Sequence, residues 1–138
     1  NCLELEITET TALEDFDAAC QIMEQLKALG VRLALDDFGT GYSSLSYLAQ
    51  LPIDILKIDK QFIDNLAQFE QYRAITRSII ELGHHLGLIV VAEGIEHREQ
   101  YELLAGWGCD KIQGYLHSPP LLANQIPGFF DSTYSLPC

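Results

Sequence analysis

The sequence predicts a parallel α/β protein, a portion of a TIM-like (β/α) barrel. Short apolar strand-like runs alternate with helical periodicities about five times along the chain. Glycines follow the helical runs where the next strand should begin, and chemically useful side chains recur just where the strands should end. Strands separated by helices need crossover connections, and crossovers make neighbouring strands parallel. A closed barrel takes about eight strands, so about five βα units make only part of one.

The elements follow in order. Residues Leu3 to Ile7 alternate, with Leu3, Leu5 and Ile7 on one face and Glu4 and Glu6 on the other, the period of a strand. Glu6 then points away from the helix-covered side. From Leu13 to Leu29 the residues Phe16, Ala19, Cys20, Met23, Leu26 and Leu29 recur at helical spacing, and Gly30 supplies a C-terminal stop. Arg32 to Asp36 reads as a strand, followed by the turn Gly39-Thr40-Gly41 and a short helix from Ser43 to about Gln50. Ile55 to Asp59 is the next strand. It leads to a helix with Ile75, Ile79, Leu82 and Leu86 on one face, ended by Gly87. Leu88 to Ala92 is an apolar strand, His97 to Ala105 a helix, and Lys111 to Tyr115 a last strand before Pro119-Pro120 and a short helix near Gln125 to Phe130.

With 138 residues the chain has enough length to bury roughly two-thirds of its unfolded surface. Asn1 already lies in a strand-like pattern and the only methionine is Met23. The expectation is that residues 1–138 form the C-terminal part of one domain whose first strands lie upstream, leaving the apolar strand near Leu3 as an exposed edge. Hydrophobic residues at 48% and charged residues at 20% suit an ordinary globular protein. A net charge of −12 argues against a surface for duplex DNA or RNA or for an anionic membrane, which would need clustered Lys and Arg. No apolar run is long enough to cross a bilayer. The four cysteines, Cys2, Cys20, Cys109 and Cys138, lack a paired spacing, which fits a reducing cytoplasm.

Glu6, Asp36, Asp37, Lys57, Asp59, Glu93 and Gln113 all fall at or just beyond the carboxyl ends of different predicted strands, where catalytic groups collect in β/α barrels. Four carboxylates, Glu6, Asp36, Asp37 and Glu93, converging on one face repel unless cations sit among them. Oxygen-only ligands favour Mg²⁺ or Mn²⁺ over zinc. Asp36 and Asp37 can act together only if the strand end bends, which Gly39 and Gly41 permit. Taken alone, an acidic pair before a glycine turn is more often capping and turn chemistry, a reading that the other strand-end acids weaken. Lys57, between Leu56 and Ile58 on a buried-looking strand, needs an anionic partner. Beside metals it could orient water or stabilise charge on a phosphate. Gln113 could fix substrate or simply be satisfied by backbone. Asp37-Phe38-Gly39 lacks the companion motifs of a kinase, and His84, His85, His97 and His117 lack zinc-ligand spacing.

At Leu35-Asp36-Asp37-Phe38-Gly39-Thr40-Gly41-Tyr42-Ser43-Ser44-Leu45 the chain resembles the EAL-domain family of bacterial cyclic di-GMP phosphodiesterases. Further matches follow in family order at Leu5-Glu6-Ile7-Thr8-Glu9, Leu56-Lys57-Ile58-Asp59, Val91-Ala92-Glu93-Gly94-Ile95-Glu96 and Gln113-Gly114-Tyr115. The resemblance implies a TIM-like barrel of the EAL type. It implies that Glu6, Asp36, Asp37 and Glu93 ligate metal or contact the water it binds, with Asp36 bridging two Mg²⁺ or Mn²⁺ ions in the complete site. It assigns Lys57 to the water or the scissile phosphate, Glu93 also to a general-base role, Gln113 to the substrate-facing shell, and Glu9 to anchoring the Phe38–Ser44 loop. It implies in-line hydrolysis of cyclic di-GMP to linear pGpG, a homodimer in the complete domain, and upstream regulatory modules. The alternative is a non-catalytic module that binds cyclic di-GMP or a protein. The family's Glu-Ala-Leu segment and a metal-binding asparagine belong upstream of Asn1, so weak or absent activity is expected of these residues alone. His117-Ser118-Pro119-Pro120 departs from the family's aromatic, small, basic and proline pattern.

Overall fold

The computed structural model describes residues 3–39 and 45–131. Five strands form one sheet: β1 (Glu4–Thr8), β2 (Arg32–Phe38), β3 (Ile55–Ile58), β4 (Ile89–Glu93) and β5 (Lys111–Gln113). Each pairs in parallel with the next in sequence, and the order never reverses. Between and after them run α1 (Glu9–Glu14), α2 (Phe16–Ala28), α3 (Leu45–Leu48), α4 (Lys60–Asp64), α5 (Glu70–His85), α6 (Arg98–Gly106) and α7 (Ile126–Asp131).

Alternation along the strands divides their side chains between two faces. Leu33, Leu35, Leu56, Ile58, Val90 and Ala92 share one buried cluster with Met23, Phe62, Ile63, Ile79, Ile80 and Leu104 from the helices. On the other face Ala34, Ile55 and Val91 form a separate cluster with Ile89. Helices on one face and an apolar wall on the other make the arrangement of five βα units of a TIM-like barrel. Leu3 and Leu5 at the edge strand are exposed.

Several predicted boundaries shift for local reasons. The helix expected over Leu13–Leu29 is two helices, because Asp15 leaves helical geometry at φ −142°, ψ 84° and its carboxylate accepts the Ala18 N–H to start α2. The helix α4 was not read from the sequence. It begins because Asp59, expected to end β3, instead turns and accepts the Gln61 N–H at 2.8 Å. Leu88 precedes β4 and Tyr115 lies beyond β5. Of the predicted turn and short helix, Thr40, Gly41, Ser43 and Ser44 lie outside the described residues.

The amino-terminal rim repeats one device. Asp54, one residue before β3, accepts the Leu33 N–H of β2 at 3.0 Å and the Lys27 ammonium of α2 at 2.5 Å. Asp110, one residue before β5, accepts the Val90 N–H of β4 at 2.8 Å and hydrogen-bonds His84 of α5 at 2.9 Å. Each aspartate thus joins a strand start to the preceding helix end. Burial pushes both carboxyls up, but at Asp54 the Lys27 and Leu33 hydrogen bonds outweigh it, and at Asp110 those from Val90 and His84 do. Both sit below the usual carboxylate range.

Two predictions follow from these contacts. A carboxyl depressed in the folded state adds stability above its unfolded pKa, near about 4, and that stability is lost as pH falls through the folded value. The stability gap between the wild type and an Asp54→Asn/Asp110→Asn variant should therefore be full at neutral pH and shrink below about pH 4. A gap independent of pH in urea unfolding would refute it. Second, a Cβ on Gly114 would fall on the Ile95 backbone, with its carbonyl carbon only 2.8 Å away. Gly114→Ala should cost about 2 kcal/mol in the same assay, and an unchanged midpoint would count against the packing.

Candidate active site

Parallel register places the polar ends of four strands side by side. Ala34 pairs with Glu6 on one side and Ile55 on the other, so two residues further along Asp36 comes level with Lys57. Lys57 pairs with Val91, which puts Glu93 just above it and opposite Gln113. All of these side chains belong to the face away from the helices. The Lys57 side chain reaches into the middle of them, and the residue is 4% exposed.

Its ammonium lies 2.6 Å from Glu6 Oε1, 2.7 Å from Glu93 Oε1 and 3.2 Å from Asp36 Oδ1. Burial disfavours the charged lysine, but the hydrogen bonds it donates to Glu6, Glu93 and Asp36 outweigh it and push the pKa well up. Lys57 is therefore held as a cation. It can donate hydrogen bonds and stabilise negative charge, and it cannot serve as a base at neutral pH.

Asp37 turns differently from Asp36. The β2–β3 register shifts between Leu35 and Phe38, and Asp37 adopts φ 56°, the left-handed region that a non-glycine residue rarely takes. The bend that the sequence reading assigned to the following glycines therefore begins on Asp37 itself. Burial raises its carboxyl first, followed by the negative charges of Asp36 and Asp59 and a hydrogen bond with Asp59, against which Lys57 acts weakly. In the sequence Asp59 is a strand-end residue to which no role attaches. Its position two residues after Lys57 was the available signal.

The structure thus gathers Glu6, Asp36, Lys57 and Glu93 and sets Asp37 beside Asp59. Gln113 stands exposed on the rim next to Glu93, apart from the lysine contacts. Glu9 lies elsewhere, 4% exposed at the start of α1, where its Oε2 accepts the Gly39 N–H at 3.0 Å. Glu6, Asp36 and Glu93 around Lys57, with Asp37 and Asp59 beside them, give a surplus of negative charge supplied wholly by oxygen donors. Such a set fits a hard divalent cation. Among the described residues, however, no three acidic, histidine or cysteine side chains are already gathered around a point where an ion could sit. The ammonium takes up the convergence of Glu6, Asp36 and Glu93.

The family model described as EAL domain matches residues 1–120. The chain is 50% identical over 124 residues to the bifunctional diguanylate cyclase/cyclic di-GMP phosphodiesterase MucR of Pseudomonas aeruginosa, covering 90% of this chain and 18% of that protein. The solved PaMucR phosphodiesterase in complex with c-di-GMP superposes with a TM-score of 0.86 at 50% identity, over 90% of this chain and 50% of that one. BlrP1 of Klebsiella pneumoniae, solved with cyclic di-GMP and either calcium or manganese, has a TM-score of 0.79 at 36% identity, over 85% of this chain and 30% of that one. The chain spans less than a fifth of the length of the first curated relatives, 18% and 16%. With a family match over residues 1–120 and 50% identity to MucR over 124 residues, this chain belongs to the EAL domain family.

Proposed function

We propose that the domain carrying this chain is a divalent-metal-dependent phosphodiesterase that hydrolyses cyclic di-GMP to linear pGpG. The observation that carries the reading is the Lys57 ammonium held by Glu6, Asp36 and Glu93 at the carboxyl ends of neighbouring strands. The named activity of MucR and the cyclic di-GMP complexes of similar structures supply the substrate. In this reading residues 1–138 are the C-terminal part of one EAL domain, and full activity needs the rest of it. The complete domain is a cytoplasmic homodimer under the control of upstream modules.

Glu6, Asp36, Asp37 and Glu93 would hold two ions, Mg²⁺ or Mn²⁺. When bound, such ions neutralise phosphate charge and acidify water at neutral pH. The protein's own contribution is positional and electrostatic. Lys57 donates N–H bonds toward the attacking water or a phosphate oxygen and stabilises the charge that builds as the phosphorus–oxygen bond breaks. Glu93, within hydrogen-bond reach of Lys57, is also the carboxylate suited to take a proton from water. Gln113 orients the substrate from the rim. Glu9, through the Gly39 amide, anchors the loop that leaves β2 and so the bend at Asp37.

A non-catalytic module that binds cyclic di-GMP or a protein is the second reading, favoured by the departure at His117-Ser118-Pro119-Pro120. Calorimetry and product analysis on the complete domain separate the two. Binding with no pGpG in the presence of metal selects the second.

Lys57→Met in the complete domain should lower kcat by about 100-fold or more, and wild-type turnover in that variant would remove Lys57 from the reaction. Chelation followed by dialysis should abolish hydrolysis, and Mg²⁺ or Mn²⁺ should restore it. Turnover that survives chelation would exclude the metal-dependent reading.

A further inference from the structure

The segment Gly94–His97, between β4 and α6, is bonded on one side to β5, which carries Gln113, and on the other to α4, which follows the strand of Lys57. Toward β5, the Ile95 N–H donates to the Gln113 carbonyl at 3.1 Å, and the Leu116 N–H donates to the Ile95 carbonyl at 2.9 Å. Toward α4, the buried contact is made by one side chain, beside an exposed ion pair. Gln100, in the first turn of α6, is 3% exposed and bonds through both ends of its carboxamide. Its Oε1 accepts the Glu96 and His97 N–H groups, each at 2.9 Å, and its Nε2 donates to the Ile63 carbonyl of α4 at 3.1 Å.

A glutamine at this helical position often does no more than satisfy the amide that starts the helix. Such a residue needs one acceptor and no partner in another element. Gln100 instead reaches a residue 37 positions earlier in the chain, and burial makes every unmade bond of its carboxamide costly. The two segments it joins begin directly after the strands of Lys57 and Glu93. Strand pairing sets the backbones of those residues, but Glu93 is the last residue of β4 and its carboxylate follows the loop that leaves it. A second tie, the exposed Lys60–Glu96 ion pair, spans the same gap.

We propose that Gln100 is a positioning residue for the Lys57–Glu93 pair, acting by pinning the 94–97 loop to α4. Its consequence for turnover rests on the phosphodiesterase reading, whereas the pinning itself does not.

The test uses the polypeptide at its natural length. Gln100→Glu keeps oxygen acceptors for the Glu96 and His97 amides and removes the N–H donor to Ile63, so it cuts the link to α4 while leaving the helix start capped. The expected result is a kcat about tenfold lower with KM within about twofold, because a misplaced reacting group costs rate more than ground-state binding. Deuterium uptake should rise in peptides covering 93–97 and 113–116 and stay unchanged over β1 and β2. Gln100→Asn, one methylene shorter, is the second variant should the first fail to fold. Wild-type kcat with wild-type uptake in a folded variant overturns the inference, as does a rate loss accompanied by faster uptake throughout the chain. If the unaltered protein forms no pGpG with Mg²⁺ or Mn²⁺, the phosphodiesterase reading fails by itself. Uptake then decides the pinning: faster exchange confined to the two segments supports it, and unchanged exchange overturns it.

Discussion

An ammonium withdrawn from water has to be met by negative charge, and the Lys57 ammonium is met by three carboxylates from three other strands. Glu6 comes from β1, Asp36 from β2 and Glu93 from β4, so the lysine on β3 is the point at which four strands agree in register. A one-residue slip of any of them would turn its polar group toward the helices and an apolar side chain toward the lysine. The same contact sets the chemistry. Because the lysine stays charged it can only donate hydrogen bonds, and because the acids outnumber it, the site keeps a surplus of negative charge.

The two rims of the sheet solve different problems with the same residue type. At the amino-terminal rim Asp54 and Asp110 spend their oxygens on strand amides and on Lys27 and His84, and each ties a helix end to a strand start. Those aspartates are satisfied and keep a depressed pKa. At the carboxyl rim Asp37 faces Asp59 and Asp36, and its carboxyl is raised. The crowded carboxylates thus lie at the end where function sits in this class of fold, and the satisfied ones at the other. The left-handed backbone at Asp37 belongs to the same economy, a local strain carried at the site and held by its surroundings.

Much of this was legible before any coordinates. Periodicity found all five strands and the long helices, because strands buried on a helix-covered face and amphipathic helices both write their geometry into the hydrophobic pattern. The helix α4 escaped because it is five residues long and starts from Asp59, whose capping role looks like any other polar residue at a strand end. The break at Asp15 escaped for a related reason: the apolar spacing of α1 and α2 runs nearly in phase, and only the aspartate's backbone conformation separates them.

The sequence by itself determined the parallel α/β class, the family, and the set of acids and the lysine at the strand ends, since these depend on residue type and on spacing along the chain. Tertiary structure alone decided which of them meet. Lys57 joins Glu6, Asp36 and Glu93 because parallel pairing puts these strand ends on one face within side-chain reach of the lysine, while Asp37, adjacent to Asp36 in sequence, is carried to Asp59 where the register shifts. The role of Gln100 likewise exists only in space. Its partner Ile63 offers a backbone carbonyl, which every residue has and no sequence pattern marks.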